Sequence, residues 1–173
     1  MTRSHDEEDR VERSIAQWAV VAPGLDVSPM EVFGRIHRVF ALYNTHINRV
    51  FTQHGMSAAG FEVLAALFRA GAPYRLSVSR LTHETLISSG GMTMRLDRLE
   101  RDGLIVRERA LDDRRIVFAS LTERAVALVA DVAAVHFANE AVLLKGIDPD
   151  DRQHLSGLLS DLERCMRHAE GGS

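Results

Sequence analysis

Apolar residues recur at helical spacing over most of this chain. Val11, Ile15, Trp18 and Ala22 lie three or four residues apart and predict a first helix over about 6–22, broken by "PGLD". "SPME" at 28–31 reads as a capping box, with Ser28 as the cap, Pro29 at the first helical position and Glu31 reaching back. Phe33, Ile36, Phe40, Tyr43, Ile47 and Val50 then carry a long helix to about 54, where Gly55 stops it. Ser57 caps a third helix with Phe61, Leu64, Leu67 and Phe68 facing in, ended by Gly-Ala-Pro at 71–73. Ser77 caps a short helix to about Glu84. After the turn "ISSGG", Met92, Leu96 and Leu99 mark one face of a helix to about 102, ended by Gly103.

Beyond Gly103 the pattern changes. Ile105 and Val106 start a strand, and 116–121 return as a second one around a polar tip. Thr122 caps an alanine- and valine-rich helix to about 144, and Gly146 closes it. "DPDD" at 148–151 opens a last helix carrying Leu155, Leu158, Leu159, Leu162 and Met166. A short helix, a turn, a second helix and a hairpin make a winged helix-turn-helix, so the expected fold is mainly α with a small β wing. N-terminal helices occupy 6–54, the winged helix-turn-helix 55–121 and C-terminal helices 122–168, all in one intertwined domain. The flanking helices carry more apolar surface than one small core needs, so they are expected to join two copies into a dimer.

One residue breaks the pattern. In "SGGMTMRLDRLERDGL" (88–103), Arg95 falls on the face shared by Met92, Leu96 and Leu99. A charge on an apolar face is costly unless it is paired. Three readings stay open: an ion pair with Glu62, a packed stem whose head reaches water, and contact with an anionic ligand. The first can pass into the third if an anion displaces Glu62, and a shift of the helix would follow.

Composition adds exclusions. The apolar fraction of 46% and charged fraction of 26% are those of an ordinary globular chain. No run approaches about 18 uncharged apolar residues, so no membrane span is expected. The polar, acidic N-terminus lacks the apolar core of a secretory signal, which predicts a cytoplasmic protein. The single Cys165 fits a reducing compartment and, among Leu162 and Met166, reads as inert. A net charge of −3 argues against a generally basic surface, yet 88–115 holds seven Arg against six acids, a local net of +1. No cofactor is expected. The eight histidines include no i, i+4 pair, and no metal site is assigned, although His37, His46, His54 and His136 keep a zinc response open. No glycine-rich phosphate loop follows a strand and no nucleophile elbow is present, so an enzyme is not expected.

"LDRLERDGLIVRERALDDRRIVFASLTERA" (96–125) closely resembles the signature of the MarR family of winged-helix regulators. The shared features are the Arg-Leu-Glu-x-x-Gly-Leu end of the recognition helix, the Asp-Arg-Arg wing tip and the Leu-Thr that opens the next helix. The resemblance covers about 28–167. It implies a homodimer on a pseudo-palindromic operator in double-stranded DNA, with recognition helices in major grooves and wings at flanking minor grooves. The extra N-terminal helix makes the chain most similar to the urate-responsive branch. That likeness implies a ligand set of Trp18, Glu62, Arg95 and Arg107. The branch usually has Asp where this chain has Glu62, whose extra methylene displaces the carboxylate. Trp18 also fits as an apolar anchor, and Arg107 as a surface residue of the wing strand.

The face opposite Met92, Leu96 and Leu99 presents Ser89, Gly90, Thr93, Met94, Asp97, Arg98 and Arg101. Thr93 and Arg98 are expected at base edges, Ser88, Ser89 and Arg101 at phosphates, and Gly90 where the backbone comes close. At the hairpin tip, Asp113 orients one arginine of Arg114 and Arg115 while an arginine enters the minor groove. Ser77, Ser79 and Arg80 are further phosphate contacts. The expected function is a DNA-binding repressor released by a small anionic aromatic or heterocyclic ligand such as urate. The alternative is the same architecture answering to a metal ion such as zinc, or to no ligand.

Overall fold

The structure is a computed structural model that describes residues 9–85 and 89–170, with the side chains of Ser89 and Glu170 outside the description. The order is α1 (Arg10–Val21), α2 (Met30–Gln53), α3 (Ala58–Arg69), β1 (Arg75–Ser77), α4 (Val78–Glu84), α5 (Ser89–Arg101), β2 (Ile105–Arg109), β3 (Val117–Leu121), α6 (Glu123–Leu143) and α7 (Pro149–Glu170). The three strands form one antiparallel sheet in the order β1-β3-β2. Leu76 pairs with Ala119, and Arg107 pairs with Ala119 from the other side.

α3 is the central helix. Val63, Leu64 and Leu67 are fully buried, and Ala66 is 1% exposed, so it is covered on more than the one face its periodicity suggests. Leu81 of α4, Met92 and Leu96 of α5, Ile105 and Ala119 of the sheet, and Val129 and Val132 of α6 complete the core. Three caps form as read: the hydroxyls of Ser57, Ser77 and Thr122 accept from the amides of Gly60, Arg80 and Ala125. The capping box at 28–31 does not form. The Asp26 carboxylate takes the Ser28 amide at 3.0 Å, and α2 begins beyond Pro29 with no side-chain cap. β1 is a third strand that the apolar pattern did not reveal.

α1 packs along α2. Arg35 bridges Asp9 at 2.8 Å and Glu12 at 3.3 Å, and Gly34 admits Val11 so closely that a Cβ there would sit 3.0 Å from its methyl. The α1 stripe is buried only at its start: Val11 is covered, whereas Trp18 is 45% exposed. The α2 stripe also divides, with Ile47, Val50 and Phe51 in the core and Phe33 and Phe40 outside it. α7 keeps Leu155, Leu158, Leu159 and Met166 exposed, and Cys165 is exposed beside them.

α6 is a long apolar helix, although Asp131 and Glu140 keep it short of an uncharged apolar run. By length and composition alone it is apolar enough to cross a membrane, one 18-residue window having a mean hydropathy of 1.6. Its inner face, with Ala125, Val129, Val132 and His136, belongs to the core. The His136 ring packs against both Phe51 and Phe61, which stack on each other, and its Nε2 is 3.3 Å from Glu140. Glu140 accepts the Tyr43 hydroxyl at 2.5 Å. Burial and this bond push the Tyr43 hydroxyl up to about 12.

Candidate nucleic-acid interface

α5 is held from behind by Met92, Leu96 and Leu99, at most 4% exposed, and shows its other side to solvent. Met94, Asp97, Arg98 and Arg101 are on that exposed side, as are Gly90 and Thr93. Space around Gly90 is open on the protein side, since a Cβ there would meet nothing within 4 Å. Ser88 and the Ser89 side chain lie outside the described residues.

The α5 surface divides between two grooves. Thr93 lines a cleft with Ser77, Ser79, Arg107 and Arg115, between α4, α5 and the wing. Arg98 lines a different groove, beside Arg95 and Leu99, and reaches toward Asp102 at 3.8 Å. Thr93 and Arg98 are both expected at base edges. The helix turns them apart, because five residues rotate a side chain well past a right angle. Arg80 binds Glu84 at 2.6 Å in an exposed i, i+4 pair, which a phosphate could replace at small cost.

The wing tip is built by backbone and aspartate together. The Ala110 amide donates to the Ile116 carbonyl, and the Ile116 amide to the Asp113 carbonyl. The Asp113 carboxylate accepts the Arg115 amide at 3.0 Å and the Arg115 Nε at 3.1 Å. These bonds, the side-chain one first, hold the Asp113 carboxyl below its ordinary range. The Arg115 side chain stays 92% exposed, and Arg114 is exposed next to it. Two guanidinium groups thus project from a small, self-bonded turn.

Arg107 has a role that its sequence reading missed. Its Nη2 lies 2.7 Å from Asp97 and 2.6 Å from Glu100, and its Nε donates to Glu100 at 2.9 Å. The Arg107 amide also donates to Glu100. The Glu100 carboxyl is held below its ordinary range, chiefly by the Arg107 side chain, and the guanidinium is raised in turn. One arginine on β2 therefore clamps the recognition helix to the wing. Asp97 and Glu100 were not singled out from sequence, although Glu100 belongs to the quoted Arg-Leu-Glu signature.

Within one chain the four ligand candidates do not line one cavity. Trp18 stands on α1, Glu62 half-buried on α3, Arg95 at the groove beside Arg98, and Arg107 at the wing cleft. Arg95 does not pair with Glu62. Its Nη1 donates to the Gly91 carbonyl one turn back, at 3.0 Å, which fits the packed stem with a turned-out head. Among the described residues no cluster of three or more His, Cys, Asp or Glu is placed to hold a metal ion.

Helix, turn, helix and hairpin, with arginines at the tip, define a winged helix-turn-helix. A model of the MarR family matches residues 54–116. The regulator PecS of Dickeya dadantii is 37% identical over 152 residues, covering 88% of this chain and 92% of PecS. The chain belongs to the MarR family. Among solved structures, AbsC of Streptomyces coelicolor superposes with a TM-score of 0.73 at 24% identity, covering 83% of this chain and 98% of AbsC. A mutant of E. coli MarR in complex with operator DNA gives 0.69 at 26% identity, covering 80% and 99%.

Proposed function

We propose that the protein is a cytoplasmic, sequence-specific transcriptional repressor that binds a pseudo-palindromic operator as a homodimer. The observation that carries this reading is one cleft with Thr93 of the exposed α5 surface on one side and Arg115 of the wing on the other, Arg114 being exposed beside it. A DNA backbone strand fits that cleft, with α5 in the major groove and the wing tip at the neighbouring minor groove. The similar E. coli MarR was solved with operator DNA. The N-terminal helices over 6–54 and the C-terminal helices over 122–168 are assigned to dimerisation, because their apolar faces are exposed in the single chain.

Release by a small anionic aromatic or heterocyclic ligand such as urate completes the reading. Its support is the likeness of Trp18, Glu62, Arg95 and Arg107 to the ligand set of the urate-responsive branch, together with the placement of Arg95 at an open groove beside the recognition helix. A releasing ligand must bind the DNA-incompetent conformation better, since equal affinity shifts nothing.

The test is a gel shift on the DNA upstream of the protein's own gene, with urate titrated in. Arg115→Ala and Arg114→Ala should each weaken operator binding by roughly tenfold or more, as expected for loss of a groove-inserted arginine, and leave the dimer intact. Unchanged affinity in both variants overturns the docking geometry.

A further inference from the structure

The outermost residue of α5 is an apolar one. At about 100° per residue, Met94 lies roughly 165° from the mean direction of Met92, Leu96 and Leu99, the residues that hold the helix to the core. Met94 is 67% exposed. A long helical side chain leans toward the N-terminus, over the residues three and four positions back. For Met94 these are Gly91 and Gly90, which offer it no side chain to lie on. A Cβ at Gly90 would meet nothing within 4 Å, so the space over that turn is open. The charged residues nearby are paired or positive. Asp97 pairs with Arg107 at 2.7 Å, Arg98 reaches toward Asp102 at 3.8 Å, and Arg101, two turns on from Met94, is exposed. Single exposed apolar side chains are common. This one stands at the part of α5 that goes deepest into a groove, among arginines that suit phosphates.

We propose that Met94 is a specificity-determining residue, packing its thioether against the C5-methyl group of one thymine per half-site in the major groove. The proposal rests on the operator-binding reading and deepens it, by naming one base and the group on it that the helix reads. The major-groove edges of the bases present hydrogen-bond donors and acceptors, and the thymine methyl is the apolar exception. Methionine has no donor and only a weak acceptor. Against a G·C pair it strips water from O6, N7 or N4 and returns no hydrogen bond. Against a T·A pair it buries apolar surface on both sides. Its unbranched, polarizable chain adapts to the methyl. The selected base lies under the first two turns of α5, the end at which a recognition helix meets base edges.

The experiment uses the full-length protein and the DNA upstream of its own gene, footprinted to find the protected thymines. Each is replaced in turn by deoxyuridine, which removes the C5-methyl and nothing else. Gel-shift affinities are taken for the wild type, Met94→Ala and Met94→Gln. In the wild type, one thymine in each half-site should lose about fourfold on replacement, the worth of one buried methyl, and the symmetric pair together about fifteenfold. Met94→Ala should be indifferent to deoxyuridine at that position and respond as the wild type does at every other. Met94→Gln keeps the length of the side chain and should lose the same methyl sensitivity. The salt slope should be unchanged in both variants, because no charge is lost. The proposal is overturned if no thymine shows a sensitivity that disappears in Met94→Ala, or if the salt slope falls. A methyl effect that Met94→Ala loses at every position alike reports a displaced helix and also overturns it. A wild type that shifts no operator DNA overturns the regulator reading and this proposal with it, whereas binding without methyl sensitivity overturns the proposal alone.

Discussion

Two arginines that look alike in sequence do different work. Among the described residues the Arg95 side chain hydrogen-bonds only to the Gly91 carbonyl of its own helix, an oxygen the helix is able to satisfy by itself. Arg95→Leu should therefore fold with a melting temperature at or above that of the wild type, because leucine suits the stripe of Met92, Leu96 and Leu99 better. A clear fall in a thermal circular-dichroism melt would make Arg95 structural. Arg107 is the opposite case, bonded to Asp97 and Glu100 from its side chain and to Glu100 from its amide. Arg107→Met leaves two carboxylates facing each other and frees α5 from the wing. It should weaken operator binding while the dimer persists. The clamp also has a pH signature. The folded Glu100 carboxyl lies below its ordinary 4.5, so its contribution is complete above 4.5 and is lost as the pH falls through the lowered value. Wild type should thus lose more stability than Arg107→Met on acidification below that point, in melts run across the acid range.

At the scale of elements, what was legible depended on how local the deciding force is. Ser57, Ser77 and Thr122 cap as read, because a cap needs only its own helix. At Ser28 the hydroxyl caps nothing, and Asp26, two residues earlier, takes the amide that Glu31 was to accept. β1 was hidden for a different reason. Three residues with only Leu76 buried carry no alternation, and only pairing with β3 makes them a strand. Site residues were legible as types, since arginines at a wing tip and on a recognition helix stand out in one string. Their directions were not, and Arg98 and Thr93 ended in separate grooves. The caps give a paired test in urea denaturation at fixed protein concentration. Ser57→Ala should cost about 1 kcal/mol, within the ~0.5–2 range for a lost N-cap. Ser28→Ala should change stability by no more than about 0.5 kcal/mol, as for an ordinary surface site.

For the whole molecule, the exposed faces of the outer helices decide the assembly. Phe40 on α2, Phe137 on α6 and Leu158 on α7 are 61%, 63% and 54% exposed in the single chain, amid further exposed leucines and valines. Faces of this kind cover one another in a symmetric dimer, where each residue meets the same patch on its partner. A charge at such a position is counted twice, once per subunit. Leu158→Glu should therefore shift the protein to monomer in sedimentation experiments at micromolar concentration. The core around Leu64 and Leu96 is shared with Ile47 and Phe51 of α2 and Val129 and Val132 of α6 and draws no residue from α7, so the chain should keep a near-wild-type helical signal. DNA binding would suffer nonetheless. One winged helix reads one half-site, and the second half-site gains from the first only while the two are linked. Operator affinity should fall by about a hundredfold or more, the usual scale of lost bivalency, with the salt slope reduced as fewer phosphates are contacted. A monomeric Leu158→Glu protein that still held the full operator at wild-type affinity would show that the two wings act independently, and the outer helices would then need another role.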